Sequence, residues 1–230
     1  MNDKKALERV KDFFHREAED FDEHWKEKPK FKSPVRWLAD LFYRDKTFAR
    51  LEAVLELSGE PKANKKVLEV GSGSGRYSVV FAERGSNVLG IDFAPHMVEL
   101  AKKLAESKGV SNSCRFEVSD ILYFNGADNF DIIYAAGVFD YIPPSSRAPM
   151  LKKMAQLSKG KVIFTYPKKG TLHSFVRKLW LTFKGVPVYF YSRKEALSLA
   201  REAGLTPGDF RDIGTLVVQS CSPVMSNHER

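Results

Sequence analysis

The residues with most scope for chemistry lie at the ends of three short apolar runs. In Val67-Leu68-Glu69-Val70-Gly71-Ser72-Gly73-Ser74-Gly75-Arg76 an acid closes the first run and three glycines follow at alternate positions. A glycine loop after a strand lets backbone N–H groups approach a nucleotide-like ligand. A dinucleotide fingerprint spaces its glycines G-x-G-x-x-G; here the spacing is G-x-G-x-G, and Glu69 would repel a pyrophosphate. That acid suits a cationic ligand or one offering hydrogen-bond donors. No Gly-Lys-Ser/Thr follows, which excludes a Walker loop. Asp92, 21 residues beyond Gly71, ends the second run, where a carboxylate can accept both hydroxyls of a ribose. Asp120 in Val118-Ser119-Asp120 ends the third, where it can accept the exocyclic amine of an adenine with Ile121 against the ring.

Positioning these residues requires a sheet. From Lys65 onward short apolar runs alternate with amphipathic helical segments. Strands are expected at 66–70, 87–92, 114–120, 130–136 and 161–167, and helices at 76–84, 95–109 and roughly 146–157. Pro95 opens one of these helices, and Gly85 and Gly109 close two. The alternation argues for a parallel sheet covered on both faces. Ahead of it, helices are expected over 4–25 and from Ser33–Pro34 to about Leu57. After it come an extra amphipathic helix over 171–183, a short strand or extended piece over 186–191, and a helix over 193–204 opened by the Ser192/Glu195 capping box. Two apolar runs in 205–220 are expected to form an antiparallel pair.

Segment 65–167 resembles the core of class I S-adenosylmethionine-dependent methyltransferases, through VLEVGSGSG, GIDFAPHMVELAKK, FEVSDIL and FDIIYAAGVFDYIP. The resemblance implies an α/β fold with a seven-stranded, mostly parallel, doubly wound sheet, N-terminal helices and a helical insertion after strand five. It implies S-adenosylmethionine as cofactor and S-adenosylhomocysteine as product. Under it Gly71, Ser72, Gly73 and Gly75 pass beneath the methionine part, while Glu69 supports the loop or the ammonium. Asp92 holds the ribose with Phe93 beside the adenine, Asp120 and Ile121 frame the adenine, and Ala135 and Ala136 offer backbone to the methionine. Tyr43 on the second helix and Arg76 after the last glycine are candidates for the cofactor carboxylate. Within that family the chain looks most like small-molecule O-methyltransferases acting on quinone precursors and magnesium-protoporphyrin. Those relatives often carry a histidine after strand four, where this chain has Tyr141. The implied organisation is a helical lid over 1–60, a methyltransferase domain over 61–221 with a substrate-covering insertion at 168–191, and a flexible tail over 222–230.

Methyl transfer from a sulfonium needs the acceptor held close and in line, with water excluded; a base helps when the acceptor is a hydroxyl. His173, just after strand five, and Asp140 and Tyr141, after strand four, are the catalytic candidates. Transfer to oxygen of a small or lipid-like molecule is the expected reaction, with nitrogen as the alternative. Nucleic acid is disfavoured as a partner. Strand four runs into Ala-Ala-Gly without an Asn/Asp-Pro-Pro-aromatic box, and neither Cys114 nor Cys221 lies where a base-methylating nucleophile would be.

Charge bears on the acceptor. Of a net charge of +8, the last eighty residues supply 14 Lys/Arg against 5 Asp/Glu. Residues 171–191 mix aromatic and basic side chains, which suits an apolar acceptor with an anionic group. The same helix could rest on a lipid surface, or pack on the sheet with its charged face outward. Two cysteines without CxxC spacing point to no metal site and to a reducing cytoplasm. No apolar run of membrane-spanning length occurs, and the charged N-terminus reads as no secretory signal.

Overall fold

The computed structural model describes residues 3–23, 34–59, 64–126 and 129–224, the side chains of 4, 15–23 and 34–45 excepted. Two long helices, α1 (Asp3–Glu23) and α2 (Pro34–Ser58), precede the alternating part. There β1 (Lys66–Val70), α3 (Arg76–Glu83), β2 (Asn87–Asp92), α4 (Pro95–Ser107), β3 (Cys114–Val118), β4 (Phe130–Ala135), α5 (Pro144–Leu157) and β5 (Ser158–Pro167) follow in order. The chain then forms α6 (Leu172–Phe183), α7 (Arg193–Glu202), β6 (Leu205–Asp212) and β7 (Leu216–Pro223).

The seven strands form one sheet in the order β3-β2-β1-β4-β5-β7-β6. The pairs β3-β2, β2-β1, β1-β4 and β4-β5 are parallel, whereas β7 runs antiparallel to both β5 and β6. Strand order reverses between β1 and β4, and ligands of open α/β sheets bind at the carboxyl ends of strands at such a switch point. Side chains of a strand alternate between faces. Leu68 and Val70 join Ile133, Phe164, Leu151 and Met154 in the core under α5 and α7, while Val67 joins Tyr134, Phe81, Val98 and Val54 in the core under α2, α3 and α4. Glu69 falls on the Val67 face and so looks toward the start of α3. Phe81 stacks on Tyr134 with ring centroids 4.9 Å apart, tying α3 to the centre of the sheet.

The structure corrects three details and decides between the two readings of 186–191. Strand β3 stops at Val118, because Asp120 turns to cap the short 3-10 turn Ile121–Tyr123, accepting a 2.9 Å hydrogen bond from the Leu122 N–H. Strand β5 begins at Ser158, directly after α5. Of the two readings of 186–191, a short strand or an extended piece, the strand does not form: 186–190 lie outside any strand and Tyr191 makes only a bridge to Lys168. They instead brace the chain after β4: the Tyr189 N–H donates to the Asp140 carbonyl at 2.7 Å, and the Tyr191 hydroxyl donates to the Phe139 carbonyl at 2.9 Å. Strand β7 runs through Ser222 to Pro223, so the expected flexible tail loses its first two residues to the sheet; 225–230 lie outside the described residues. The capping box at Ser192 and Glu195 forms as expected. Helix α6 has one of its own, Thr171 with Ser174.

Candidate active site

A cavity of about 410 Å³ opens at the carboxyl ends of β1, β2 and β4, within the roughly 300–1,000 Å³ usual for ligand sites. Its floor is the glycine loop. Gly71, Gly73 and Gly75 all have positive φ, at 72°, 52° and 78°, a backbone that side-chain-bearing residues rarely adopt. A Cβ on Gly71 would stand 2.5 Å from Val138 Cγ2, and one on Gly75 would stand 2.7 Å from Phe116 Cζ, whereas one on Gly73 would meet nothing within 4 Å. Gly71 and Gly75 therefore serve packing, and Gly73 is where the loop presents bare backbone to the cavity.

Two carboxylates hold that loop. Asp92, buried at the end of β2, accepts the Gly73 N–H on Oδ2 and the Ala94 N–H on Oδ1, both at 2.9 Å. Burial raises its pKa, and the N–H groups of Ala94, Gly73 and Phe93 oppose that rise. Glu69 Oε2 accepts from the Ser78 N–H at 3.0 Å and the Ser78 hydroxyl at 2.5 Å, locking β1 to the first turn of α3. Burial pushes the Glu69 carboxyl up to about 8, with the Ser78 and Tyr134 hydroxyls pulling the other way. A carboxyl that keeps its proton longer when folded contributes stability that is complete below the unfolded value, 4.5 here, and lost as pH rises through the folded one. The melting temperature of the ligand-free protein should therefore fall between about pH 5 and pH 9. Glu69→Gln, which can still accept from Ser78, should flatten that fall. Differential scanning fluorimetry across the range reads this, and identical profiles would mean that Glu69 is ionised throughout.

The wall opposite the floor comes from the chain after β4 and from α6. Arg177 Nη1 donates to Asp140 Oδ2 at 2.5 Å and Nη2 donates to the Tyr141 hydroxyl at 3.1 Å. Both members of the ion pair are largely buried. Burial works against the Arg177 charge, but Asp140 and Tyr141 outweigh it and hold the guanidinium protonated. Tyr141 is raised by burial despite Arg177, so its hydroxyl keeps its proton. His173, one turn earlier on α6, is lowered to about 4 by burial and then by Arg177 and Lys46. Its imidazole is neutral at pH 7.

Glu69, Gly71, Ser72, Gly73, Arg76, Asp92, Phe93, Asp120, Ile121, Ala136, Asp140, Tyr141 and His173 all line this one cavity. Two expected residues do not line it. Gly75 packs behind the loop against Phe116 and Ala101, and Ala135 is fully buried within β4. The Tyr43 side chain lies outside the described residues. The sequence reading missed Lys46, Thr47 and Arg50 of α2, and Tyr77, which also line it. Arg50 Nε donates to the Tyr77 hydroxyl at 2.8 Å, and that hydroxyl donates to the Thr47 carbonyl at 3.2 Å. No local motif marks these α2 residues. From α1, Val10 and Phe13 pack with Tyr141, Leu181 and Val186, while Phe14 meets the Tyr141 ring edge-on at 5.0 Å.

These residues fit S-adenosylmethionine. Gly73 leaves room for a ligand against bare backbone. The Ser72 hydroxyl is buried in the same loop without a hydrogen-bond partner among the described residues. A carboxylate has about four acceptor positions, so Asp92 retains capacity for a pair of ribose hydroxyls. Asp120 spends one oxygen on its turn and lines the cavity next to Ile121.

Comparison with known proteins agrees. Residues 67–161 match a methyltransferase domain family. A ubiquinone biosynthesis O-methyltransferase of Bordetella avium is 30% identical over 173 residues, covering 70% of each chain. Magnesium protoporphyrin IX methyltransferase of Synechocystis PCC 6803, solved with S-adenosylhomocysteine, superposes with a TM-score of 0.71 at 18% identity, over 93% of this chain and 97% of that one. The 1,6-didemethyltoxoflavin-N1-methyltransferase of Burkholderia thailandensis also gives 0.71, at 17% identity over 98% and 92%. Alignments to several other curated relatives span only 41% to 60% of those proteins' lengths. A glycine floor tied to Asp92, a seven-stranded sheet of this order and a relative matched over most of its length lead to one assignment: the chain belongs to the class I S-adenosylmethionine-dependent methyltransferases.

Proposed function

We propose that this protein transfers a methyl group from S-adenosylmethionine to oxygen on a small, largely apolar molecule that carries an anionic group. The observation that carries the reading is the shared cavity: the loop held by Asp92 faces the wall bearing His173 and Arg177. The chemistry that S-adenosylmethionine supplies when bound is a methyl group on a positively charged sulfur, open to in-line displacement. The chain's own work is to bind, align and exclude water. Asp92 and the Gly73 backbone fix one end of the cavity. Residues 1–60 act as a lid on domain 61–221, with Val10, Phe13 and Phe14 closing over Tyr141 and with insertion 168–191 covering the acceptor. Because Asp140 and Tyr141 are both engaged by Arg177, they serve as positioning residues that aim its charge. His173 is then the group able to accept the acceptor's proton, and Arg177 and Lys46 lower the cost of a developing oxyanion.

The relatives include both an O-methyltransferase and an N-methyltransferase by name. The neutral His173 beside two cations supports oxygen, since a hydroxyl must lose its proton and a neutral amine need not lose one before attack. Free, buried Cys114 and Cys221 support a reducing, cytoplasmic setting. Among the described residues no helix is long and apolar enough to cross a membrane.

Isothermal titration with S-adenosylmethionine, followed by a labelled-methyl assay on matched apolar phenols, carboxylic acids and amines, tests the reading. Micromolar binding with turnover on the hydroxyl or carboxyl members is expected. Binding without turnover on any class, or turnover on amines alone, would overturn it.

A further inference from the structure

Helix α6 wears its apolar face outward. Leu172, Phe175, Val176, Leu179, Trp180 and Phe183 recur at helical spacing and, at about 100° per residue, span an arc of roughly 140°. All six are exposed, from 49% at Trp180 to 94% at Phe183. What the helix turns inward is Ser174, Leu181 and the ion-paired Arg177. A contiguous exposed apolar stripe marks an interaction surface.

The charges around the stripe indicate what covers it. From Lys168 to Lys194 the chain has seven Lys/Arg and no Asp/Glu. Lys168 and Lys169 are paired to Asp212 and Glu195 at the base of the segment. The exposed Lys178 borders the stripe on one side. Lys184 borders it on the other, with Nζ 4.5 Å from the centre of the Trp180 ring. Apolar side chains with lysines at both margins and a tryptophan at the edge suit the boundary between headgroups and acyl chains, where lysine stems lie along apolar surface and their charges reach phosphates. A nucleic acid would leave the six apolar side chains in water, and a purely apolar protein face would offer no counter-charge to Lys178.

We infer that α6 docks this protein onto the surface of an anionic lipid bilayer, with the stripe in the acyl boundary and Lys178 and Lys184 at the headgroups. The same helix lines the cavity through His173, Arg177, Trp180 and Leu181. Docking would therefore set the cavity mouth against the lipid, and an apolar acceptor would pass in from the bilayer. Only that last consequence rests on the proposed activity.

The test is flotation of the full-length protein with phosphatidylcholine vesicles containing about one third phosphatidylglycerol, against pure phosphatidylcholine vesicles. Binding to the anionic vesicles is expected to exceed binding to the neutral ones by about tenfold or more, and to weaken in about 1 M salt. Phe175→Ser, Leu179→Ser and Phe183→Ser together should cut anionic binding at least about tenfold. Because all three side chains are exposed, the melting temperature and the affinity for S-adenosylmethionine should not change. Lys178→Glu should weaken anionic binding by roughly fivefold or more. The inference is overturned if the wild type stays off both vesicle types, or if the triple variant floats like wild type. It is also overturned if light scattering shows a wild-type dimer that the triple variant dissolves, which would assign the stripe to a second copy. Titration of S-adenosylmethionine into each variant distinguishes a failure of docking from a failure of the proposed activity.

Discussion

Asp92→Ala should weaken S-adenosylmethionine binding by about two to three orders of magnitude, the largest single-residue effect expected on the cofactor. Two roles are proposed for Asp92. Its oxygens hold the Gly73 and Ala94 N–H groups at 2.9 Å, fixing the loop whose bare backbone the cofactor is proposed to approach. Its remaining acceptor positions are open to two ribose hydroxyls. Hydrogen bonds to a charged group contribute roughly 1.5–3 kcal/mol each, so losing two costs about 3–6 kcal/mol. The lower half of that range corresponds to the stated loss, at about 1.4 kcal/mol per tenfold. The variant should also melt a few degrees lower without ligand, because two N–H groups near the loop lose their acceptor. Isothermal titration reads the first effect and calorimetry the second. Unchanged affinity with a lowered melting temperature would restrict Asp92 to a structural role and overturn the assignment of the ribose to it.

His173→Ala should lower kcat on a hydroxyl acceptor by about 10²-fold while leaving cofactor affinity intact. The magnitude sits at the low end for general-base catalysis because the imidazole is a weak base here. Burial, Arg177 and Lys46 together hold it at about 4. The sign follows directly: the group is protonated only below that value, so the acid limb of kcat/KM should fall near pH 4 to 5, well under the usual histidine value of about 6.5. As pH climbs toward the acceptor's own ionisation, about 10 for a phenol, the acceptor no longer needs a base. Variant and wild type should then converge. Stopped-time assays from pH 3.5 to pH 9.5 provide the profile. A wild-type limb near 6.5 would mean that substrate reverses the local electrostatics. A variant parallel to wild type at every pH would remove His173 from the proton path and leave Arg177 and Lys46 as the means of lowering the acceptor's ionisation.

The floor of the site was legible in the sequence, because everything that specifies it is local. Strand, glycine loop and helix follow one another within 67–83, and the acid at each strand end lies where the alternation places it. Asp120 shows the limit of that logic. Its position at the cavity was readable, but its turn was not, since its own side chain caps Leu122 and ends β3 two residues early. The wall was much less legible. Arg177 appeared only as one basic residue of an amphipathic helix, and nothing nearby announces that Asp140, 37 residues earlier, would receive it. Arg50 and Tyr77 meet across 27 residues, and α2 carries no motif to flag its part.

Helix α6 marks the boundary most clearly. Periodicity separates the two faces of a helix by angle, and the sequence alone established that residues 171–183 have an apolar face and a basic one. It did not establish which face looks inward. That was decided by what the sheet offers there: Asp140 and Tyr141 supply partners for Arg177, and a buried charge is tolerated only with such partners. Leu181 supplies the apolar contact with Phe13 and Val186. The short-range pattern of the chain thus determined the family and the glycine floor of the cavity. The tertiary structure decided the wall opposite the glycine loop and left an apolar stripe facing outward, because both depend on charges and surfaces that meet only when distant segments pack together.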